Sequence, residues 1–226
     1  MATLSDPAST FQLPHERPAL RAHLLALRAA WGNTPAAHAA AAALGQHLHA
    51  VLAQIEPLCL GLFWPLEGEF NAAAQLQVHK AREAEPQAPA ISDGIELDLD
   101  QDEEMDEDMA NDRPIQWALP FAYTSPRRMD YRRWDGAAPT LVDECGIASS
   151  SGAVVVPDVV LVPCVGFTRE GYRLGYGGGY FDRWLAAHPG VISIGLAWSL
   201  SETHFAAEPH DQPLTMVLTE REVIAP

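Results

Sequence analysis

Apolar residues along the chain follow two spacings, one typical of helices and one typical of buried strands. Leu20, Leu24 and Leu27 recur at intervals of three and four residues. Behind Pro18, which suits a first helical turn, this spacing predicts a helix from Arg17 to Trp31. Three further segments are predicted to be helical, residues 35–55, 71–82 and 180–188. Short apolar runs bounded by prolines or polar residues predict buried strands over residues 58–64, 115–123, 154–167, 191–198 and 214–220.

The order of these elements indicates the fold class. Predicted strands alternate with helical segments, which is typical of an α/β sheet with a largely parallel core. The length of 226 residues and the hydrophobic content of 48% allow a sizeable core. We therefore expect a single α/β domain over residues 1–226.

Much of the negative charge lies in one segment. The formal net charge is −16, but residues 83–112 hold 13 of the 30 acidic residues and none of the 14 basic ones. The segment is poor in large apolar groups, so residues 83–113 are expected to form a disordered acidic insertion. The other 17 acidic residues nearly balance the 14 basic ones, and no basic stripe is present. We therefore expect neither nucleic acid nor a membrane as a partner.

The cysteines and the N-terminal sequence indicate a compartment. Cys59, Cys145 and Cys164 lie far apart without a Cys-x-x-Cys pair, so neither a disulfide framework nor a zinc site is indicated. Asp6 and Pro7 interrupt the stretch in which a signal peptide needs an unbroken apolar run. We therefore expect a cytoplasmic protein with reduced thiols.

The densest cluster of candidate functional residues is GYRLGYGGGYFDRW, residues 171–184. Its glycines stand between a predicted strand and a predicted helix, where backbone N–H groups and the helix start can hold a phosphate. Arg173 could clamp a phosphate oxygen, and Asp182 in the first helical turn could hold magnesium. No Walker lysine follows, and the dinucleotide fingerprint lacks its last glycine. The alternative is a glycine hairpin with surface charges.

Residues 161–185, LVPCVGFTREGYRLGYGGGYFDRWL, resemble the signature of the 5-formyltetrahydrofolate cyclo-ligase family, also called methenyltetrahydrofolate synthetase. Three other segments fit that family in the expected order: RPALR at 17–21, FWPLEGEF at 63–70 and HDQPLTMVLTE at 210–220. The resemblance covers most of the chain apart from the leader and the acidic insertion. It implies a three-layer α/β sandwich of the NagB/RpiA/CoA-transferase-like type, with helices flanking a mostly parallel central sheet.

The resemblance also implies an activity and its residues. The family cyclises 5-formyltetrahydrofolate to 5,10-methenyltetrahydrofolate with ATP as co-substrate and Mg²⁺ as cofactor, and we expect a monomer. Arg173 and Tyr180 are the implied catalytic residues, and Asp182 and Asp211 the implied metal ligands. The residues implied to bind ATP are Arg17, Pro18, Ala19, Leu20, Arg21, Arg173, Leu174, Gly175, Tyr176, Gly177, Gly178, Gly179, Tyr180 and Phe181. Those implied to bind the folate are Trp64, Glu69, Tyr176, Gly177, Gly178, Gly179 and Tyr180.

Three positions depart from the family pattern. Arg17 stands where the family has lysine, and Phe181 stands where it has tyrosine. Residues 145–151, CGIASSS, replace a Gly-Ile-x-Glu-Pro turn and so remove a carboxylate and a proline from a region expected to border the substrate cleft. This third departure bears on folate affinity more than on ATP binding.

Each implied role has a plainer alternative. Arg17 and Arg21 could form a solvated helix face, because most surface arginines pair weakly. Glu69 could be a loop carboxylate, and Trp64 could be a core residue. His210 lies beside Asp211 but has no second histidine at ligand spacing, so we expect it to be solvated.

Two other functions also stay open at this point. One is a sugar-phosphate isomerase or transferase on a similar sheet, which would be indifferent to nucleotide. The other is a non-catalytic nucleotide- or folate-binding protein whose acidic segment serves in docking.

Deletion of residues 86–110 is expected to change the free energy of unfolding by no more than about 1 kcal/mol. An unpacked loop contributes few contacts, and the entropy of closing it depends only weakly on its length. Denaturant unfolding of the full and shortened chains measures the difference. A shortened chain that no longer folds would show that the segment packs against the domain.

Overall fold

The computed structural model describes residues 16–32, 34–83 and 114–226, with side chains for all of these except residues 78–83. The N-terminal leader and all of the predicted acidic insertion except Glu83 lie outside the described residues. The helices are α1 (Arg17–Gly32), α2 (Pro35–Ile55), α3 (Ala72–Glu83) and α4 (Tyr180–Ala187), with a 3₁₀ turn at Ser199–Ser201. The strands are β1 (Cys59–Gly61), β2 (Gln116–Thr124), β3 (Arg127–Trp134), β4 (Leu141–Val142), β5 (Ala148–Ser149), β6 (Val154–Val155), β7 (Val159–Pro163), β8 (Gly166–Phe167), β9 (Arg173–Leu174), β10 (Ile192–Leu196), β11 (Met216–Leu218) and β12 (Val223–Ile224).

An eight-stranded sheet in the order β12-β11-β10-β7-β1-β2-β3-β6 forms the centre of the fold. Its central strands, from β11 to β2 in that order, are parallel to one another. The outer strands β12, β3 and β6 join antiparallel. The predicted α/β class with a mostly parallel sheet is therefore confirmed. Strands β4 and β5, and likewise β8 and β9, form separate hairpins.

Side chains alternate between the two faces of the sheet and create two apolar layers. In β7, Val159 and Leu161 pack on the face that α2 and α3 cover. Val160 and Val162 point the other way and pack with α4. Because helices flank the sheet on both faces, the predicted three-layer sandwich is confirmed.

Helix α1 covers the C-terminal end of the parallel strands. Its buried residues Leu20 and Leu24 pack against Val165 and Leu174. Val165 lies two residues after the end of β7, and Leu174 ends β9. Ligands of open α/β sheets bind outside the carboxyl ends of the strands, so α1 borders the place where a site is expected.

Three details of the prediction are wrong. Residues 154–167 form the three strands β6, β7 and β8 rather than one, because the chain leaves its pairing with β3 before β7 pairs with β1 and β10. Strand β3 was not predicted, since arginines surround its buried residues Met129 and Tyr131. Leu27 is 39% exposed, and Arg28, at 5%, takes the buried position instead.

The length and apolar content of the helices bear on the expectation that no membrane is a partner. Within residues 16–32, 34–83 and 114–226, no helix is long and apolar enough to cross a bilayer.

Candidate active site

The glycine loop, residues 175–179, lies between β9 and α4. Gly177 and Gly179 have left-handed backbone angles, with φ of 91° and 62°, which other residues adopt only with strain. Gly179 is also the N-cap residue of α4. Glycine at these two positions therefore allows the chain to turn sharply into the helix.

Arg21 attaches helix α1 to the glycine loop. Its Nε donates a hydrogen bond to the carbonyl oxygen of Gly175 at 2.6 Å. A Cβ placed on Gly177 would lie 3.4 Å from the guanidinium carbon of Arg21. These contacts argue against a purely solvated role for this arginine.

Arg173 and Asp182, at the two ends of the loop, form an ion pair. Nη2 of Arg173 lies 3.1 Å from Oδ1 of Asp182. Nη1 donates to the carbonyl oxygen of Gln212 at 3.3 Å. The guanidinium is thus buried and paired rather than open to solvent. Its contact with a phosphate stays a prediction.

Arg17 binds Asp211 through both carboxylate oxygens. Its Nε also lies 3.3 Å from a carboxylate oxygen of Glu208. Burial alone would raise the pKa of Asp211, but the hydrogen bonds from Arg17 and from the backbone N–H of Glu208 outweigh it and lower that pKa. Asp211 is therefore ionised at neutral pH, and α1 is joined to the segment that carries it.

Asp182 and Asp211, the predicted metal ligands, lie near each other. The backbone N–H of Gln212, the residue after Asp211, donates to Oδ1 of Asp182 at 3.3 Å. His210, which was predicted to be solvated, has a side chain that is 66% exposed. In the described part of the chain, no three His, Cys, Asp or Glu side chains form a group that could hold a metal ion. The metal role of the two aspartates stays a prediction.

Glu69 meets the glycine loop through Tyr176. The hydroxyl of Tyr176 donates to Oε1 of Glu69 at 2.6 Å and accepts a hydrogen bond from Nη2 of Arg28 at 2.5 Å. Nη1 of Arg28 lies 3.4 Å from the same carboxylate oxygen. Burial and the negative charge of Glu69 raise the pKa of Tyr176, so its phenol is protonated at neutral pH.

Tyr180 connects the start of α4 to two other segments. Its hydroxyl donates to the carbonyl oxygen of Tyr123 and accepts from the thiol of Cys145, each at 3.2 Å. Cys145 begins the CGIASSS turn, so that unusual turn contacts the start of α4 at a predicted catalytic residue.

The other predicted ATP-binding residues differ in accessibility. The side chains of Leu20 and Leu174 are fully buried, so only their backbone groups can reach a ligand. Pro18 and Ala19 are exposed in the first turn of α1. Phe181 is half-buried and packs against the cores on both faces of the sheet.

Trp64 packs against the core that α2 and α3 cover. Its ring lies edge-on to Trp134, with ring centroids 6.1 Å apart. The structure therefore agrees with the alternative that Trp64 is a core residue, and its folate contact stays a prediction.

Comparison with known proteins identifies the family. The sequence profile of the 5-formyltetrahydrofolate cyclo-ligase family matches residues 14–220 of the chain. The match includes α1, the glycine loop and Asp211. The chain belongs to the 5-formyltetrahydrofolate cyclo-ligase family.

Curated members of the cyclo-ligase family match a shorter segment. A 5-formyltetrahydrofolate cyclo-ligase of Mycoplasma pneumoniae is 39% identical over 67 residues, which cover 28% of this chain and 39% of the relative. A protein of the same name from Mycolicibacterium smegmatis is 43% identical over 67 residues, or 28% of this chain and 34% of the relative. These alignments span well under half the length of the relatives.

Solved structures share the fold over almost the whole length. A 5,10-methenyltetrahydrofolate synthetase from Mycoplasma pneumoniae superposes with a TM-score of 0.63 at 20% identity, covering 91% of this chain and 99% of that chain. A 5,10-methenyltetrahydrofolate synthetase from Aquifex aeolicus gives a TM-score of 0.63 at 22% identity, with 92% of each chain covered. At these identities the likeness shows a common fold.

Sequence reasoning missed three residues of the candidate site. Tyr123 and Gln212 act through their backbone groups, for which the sequence carries no signal. Arg28 did leave a signal, because it follows Leu24 by four residues on the buried stripe of α1.

Replacement of Gly177 by alanine is expected to lower the free energy of unfolding by about 1 kcal/mol or more. The left-handed φ of 91° strains any residue with a Cβ. Gly175→Ala is the matched control, because its Cβ would meet no atom within 4 Å and its φ lies outside the left-handed range. Urea unfolding of both variants measures the difference, and equal losses would contradict the assignment of the bend to Gly177.

Proposed function

We propose that the protein catalyses the ATP- and Mg²⁺-dependent cyclisation of 5-formyltetrahydrofolate to 5,10-methenyltetrahydrofolate, with release of ADP and phosphate. Membership of the family supports the reaction class. The observation that carries the proposal is the glycine loop, with its left-handed Gly177 and Gly179 and with Arg21 bound to the carbonyl of Gly175. A glycine-rich bend before a helix start can present backbone N–H groups to an anion.

The triphosphate would lie along the glycine loop. The backbone N–H groups of the loop and of the first turn of α4 supply neutral donors, and Arg17 and Arg21 supply positive charge. Both arginines are already held, by Asp211 and by the Gly175 carbonyl. Arg173 would reach a phosphate oxygen only by exchanging its partner Asp182 for it.

Asp182 and Asp211 suit a magnesium site that phosphate completes. Magnesium in nucleotide enzymes is usually held by one or two carboxylates together with waters and phosphate oxygens. Two neighbouring carboxylates match that donor set, and Asp211 is ionised at neutral pH as a ligand must be. When bound, the ion supplies positive charge to the transferring phosphoryl group.

The folate would lie where Glu69 and Tyr176 meet the glycine loop. The amino-pyrimidine edge of a pterin presents N–H donors. The Glu69 carboxylate, held by Arg28, can accept hydrogen bonds from them. Tyr180 at the start of α4 would lie between folate and nucleotide, since it belongs to both predicted sets. Its hydroxyl is oriented by the Tyr123 carbonyl and the Cys145 thiol.

The chemistry calls for alignment rather than for a protein nucleophile. Nitrogen resonance makes the N5-formyl group a poor electrophile, and transfer of the γ-phosphoryl group to its oxygen removes that obstacle. N10 then attacks the formyl carbon and loses its proton, and phosphate leaves as the methenyl bridge forms. Positioning of this kind can contribute about 7–11 kcal/mol. Cys164 does not suit nucleophilic attack, because burial raises the pKa of its thiol to about 12.

We further propose that the protein acts on these small molecules as a cytoplasmic monomer.

One observation favours a second candidate, a nucleotide- or folate-binding protein without turnover. The CGIASSS turn, which lacks the carboxylate and proline of the family pattern, lies against Tyr180 through Cys145.

Purified protein supplied with Mg²⁺, ATP and 5-formyltetrahydrofolate is expected to form the methenyl product and ADP in equal amounts. The absorbance of the product and a coupled ADP assay measure the two. Binding of ATP without product at any enzyme concentration would favour the binding protein. A protein that neither binds ATP nor responds to it in this assay would favour the sugar-phosphate isomerase alternative.

Asp182→Asn is expected to lower kcat by about 100-fold or more, because the carboxylate next to the transferring phosphate is lost. Asparagine keeps the acceptor for the backbone N–H of Gln212, whereas alanine would leave the buried Arg173 without its partner. The control is Asp130→Asn, which breaks an ion pair with Arg128 at the surface. Steady-state kinetics and thermal unfolding are measured together, and an unchanged kcat would assign the metal to other ligands.

A further inference from the structure

Helix α1 buries an arginine where its apolar stripe predicts another leucine. Leu20, Leu24 and Arg28 recur every four residues and are 0%, 2% and 5% exposed. An arginine is almost never fully buried unless it is paired. The reason for its burial must therefore lie in its partners.

Arg28, Tyr176 and Glu69 form a closed set of contacts, which we call the Arg28 triad. Arg28 donates to the hydroxyl of Tyr176, that hydroxyl donates to Glu69, and Arg28 also faces Glu69 at 3.4 Å. The second carboxylate oxygen of Glu69 accepts from the backbone N–H of Leu66 at 2.8 Å. The carboxylate is therefore fixed by Arg28 and Tyr176 on one oxygen and by its own loop on the other.

The chain around Arg28 is shaped to its side chain. Gly68 has a left-handed φ of 74°, and a Cβ on it would lie 3.1 Å from Cγ of Arg28. The carbonyl of Gly68 accepts a hydrogen bond from Nε1 of Trp198 at 2.8 Å. Nε of Arg28 has no partner among the described residues, and Arg28 is one of the residues that line a cavity of about 10 Å³, room for about one water molecule.

Stability alone does not account for the triad. Taking two charges out of water can cost as much as their contacts return, and apolar residues of similar volume often serve a core as well or better. The two residues that Arg28 joins also belong to different parts of the site. Tyr176 lies in the glycine loop, and Glu69 lies in the segment between β1 and α3.

We infer that Arg28 is a positioning residue that links the glycine loop to Glu69. Nucleotide bound to the loop would then fix the position of the Glu69 carboxylate, which binds the folate. The inference rests on the proposed function, which places ATP on the loop and folate at Glu69. One hydroxyl, that of Tyr176, links the two sides. Because coupling between two ligands is reciprocal, each ligand should then increase the affinity for the other.

Two variants and one control test this coupling. In the wild-type protein, a non-hydrolysable ATP analogue is expected to tighten the binding of 5-formyltetrahydrofolate by about 10-fold. Tyr176→Phe removes only the hydroxyl, and the effect is expected to fall below about 2-fold, measured relative to the affinity of the same variant for each ligand alone. Arg28→Gln is expected to raise KM for the folate by about 10-fold and KM for ATP far less. Arg221→Gln, at an arginine whose side chain is 78% exposed, controls for the substitution and should change neither.

The readouts separate the possible outcomes. Equilibrium dialysis gives each affinity without turnover, and thermal unfolding monitors the fold. A wild-type protein that binds neither ligand would overturn the proposed function and the inference together. Wild-type protein that binds both ligands without mutual effect, or Tyr176→Phe protein that keeps the effect, would overturn the inference alone. A loss of stability in Arg28→Gln with both KM values unchanged would also overturn it, and if that variant does not fold, Tyr176→Phe decides.

Discussion

The ion pair between Arg173 and Asp182 is the contact on which the geometry of the site depends. Arg173 lies in β9 and Asp182 in the first turn of α4, so the pair joins the two elements that the glycine loop connects. The negative charge of Asp182 also lies at the positive end of the helix dipole. With that spacing fixed, the chain between the two residues must turn through left-handed angles, and Gly177 and Gly179 supply them. The bend is therefore a consequence of charge pairing at its base as much as of its glycines.

Gln212 extends this constraint to a distant part of the chain. Its carbonyl accepts from Arg173, and its N–H donates to Asp182. The neighbouring Asp211 binds Arg17 and so draws α1 over the end of the sheet. The apolar layers determine where the sheet and helices lie, whereas this series of charged contacts determines how α1, the loop and the Asp211 segment meet.

The sequence was informative wherever a signal is local. The helical spacing of apolar residues predicted α1 and α2, and short apolar runs predicted the central strands. Burial leaves such a pattern of apolar residues in the sequence itself. Strand β3 escaped detection since its buried residues, Met129, Tyr131 and Trp134, lie among four arginines, a pattern typical of solvated chain. The family resemblance implied functional roles for Arg17, Asp182 and Asp211. The group with which each of them pairs is determined by tertiary packing and leaves no local signal in the sequence.

The same pairs explain how a strongly charged site can exist in a stable fold. Arg17 pairs with Asp211 and Arg173 with Asp182, so these four charges have opposite partners before any ligand arrives, and Arg21 is held by the carbonyl of Gly175. If phosphate oxygens take the place of the carboxylates on the arginines, as the proposed function requires, the carboxylates become available to a cation in the same event. Neither of these two ion pairs then leaves a buried charge unpaired at either stage, which avoids a large electrostatic penalty. Exchange of partners, rather than exposure of bare charges, is therefore the physically least costly way for this loop to accept a nucleotide.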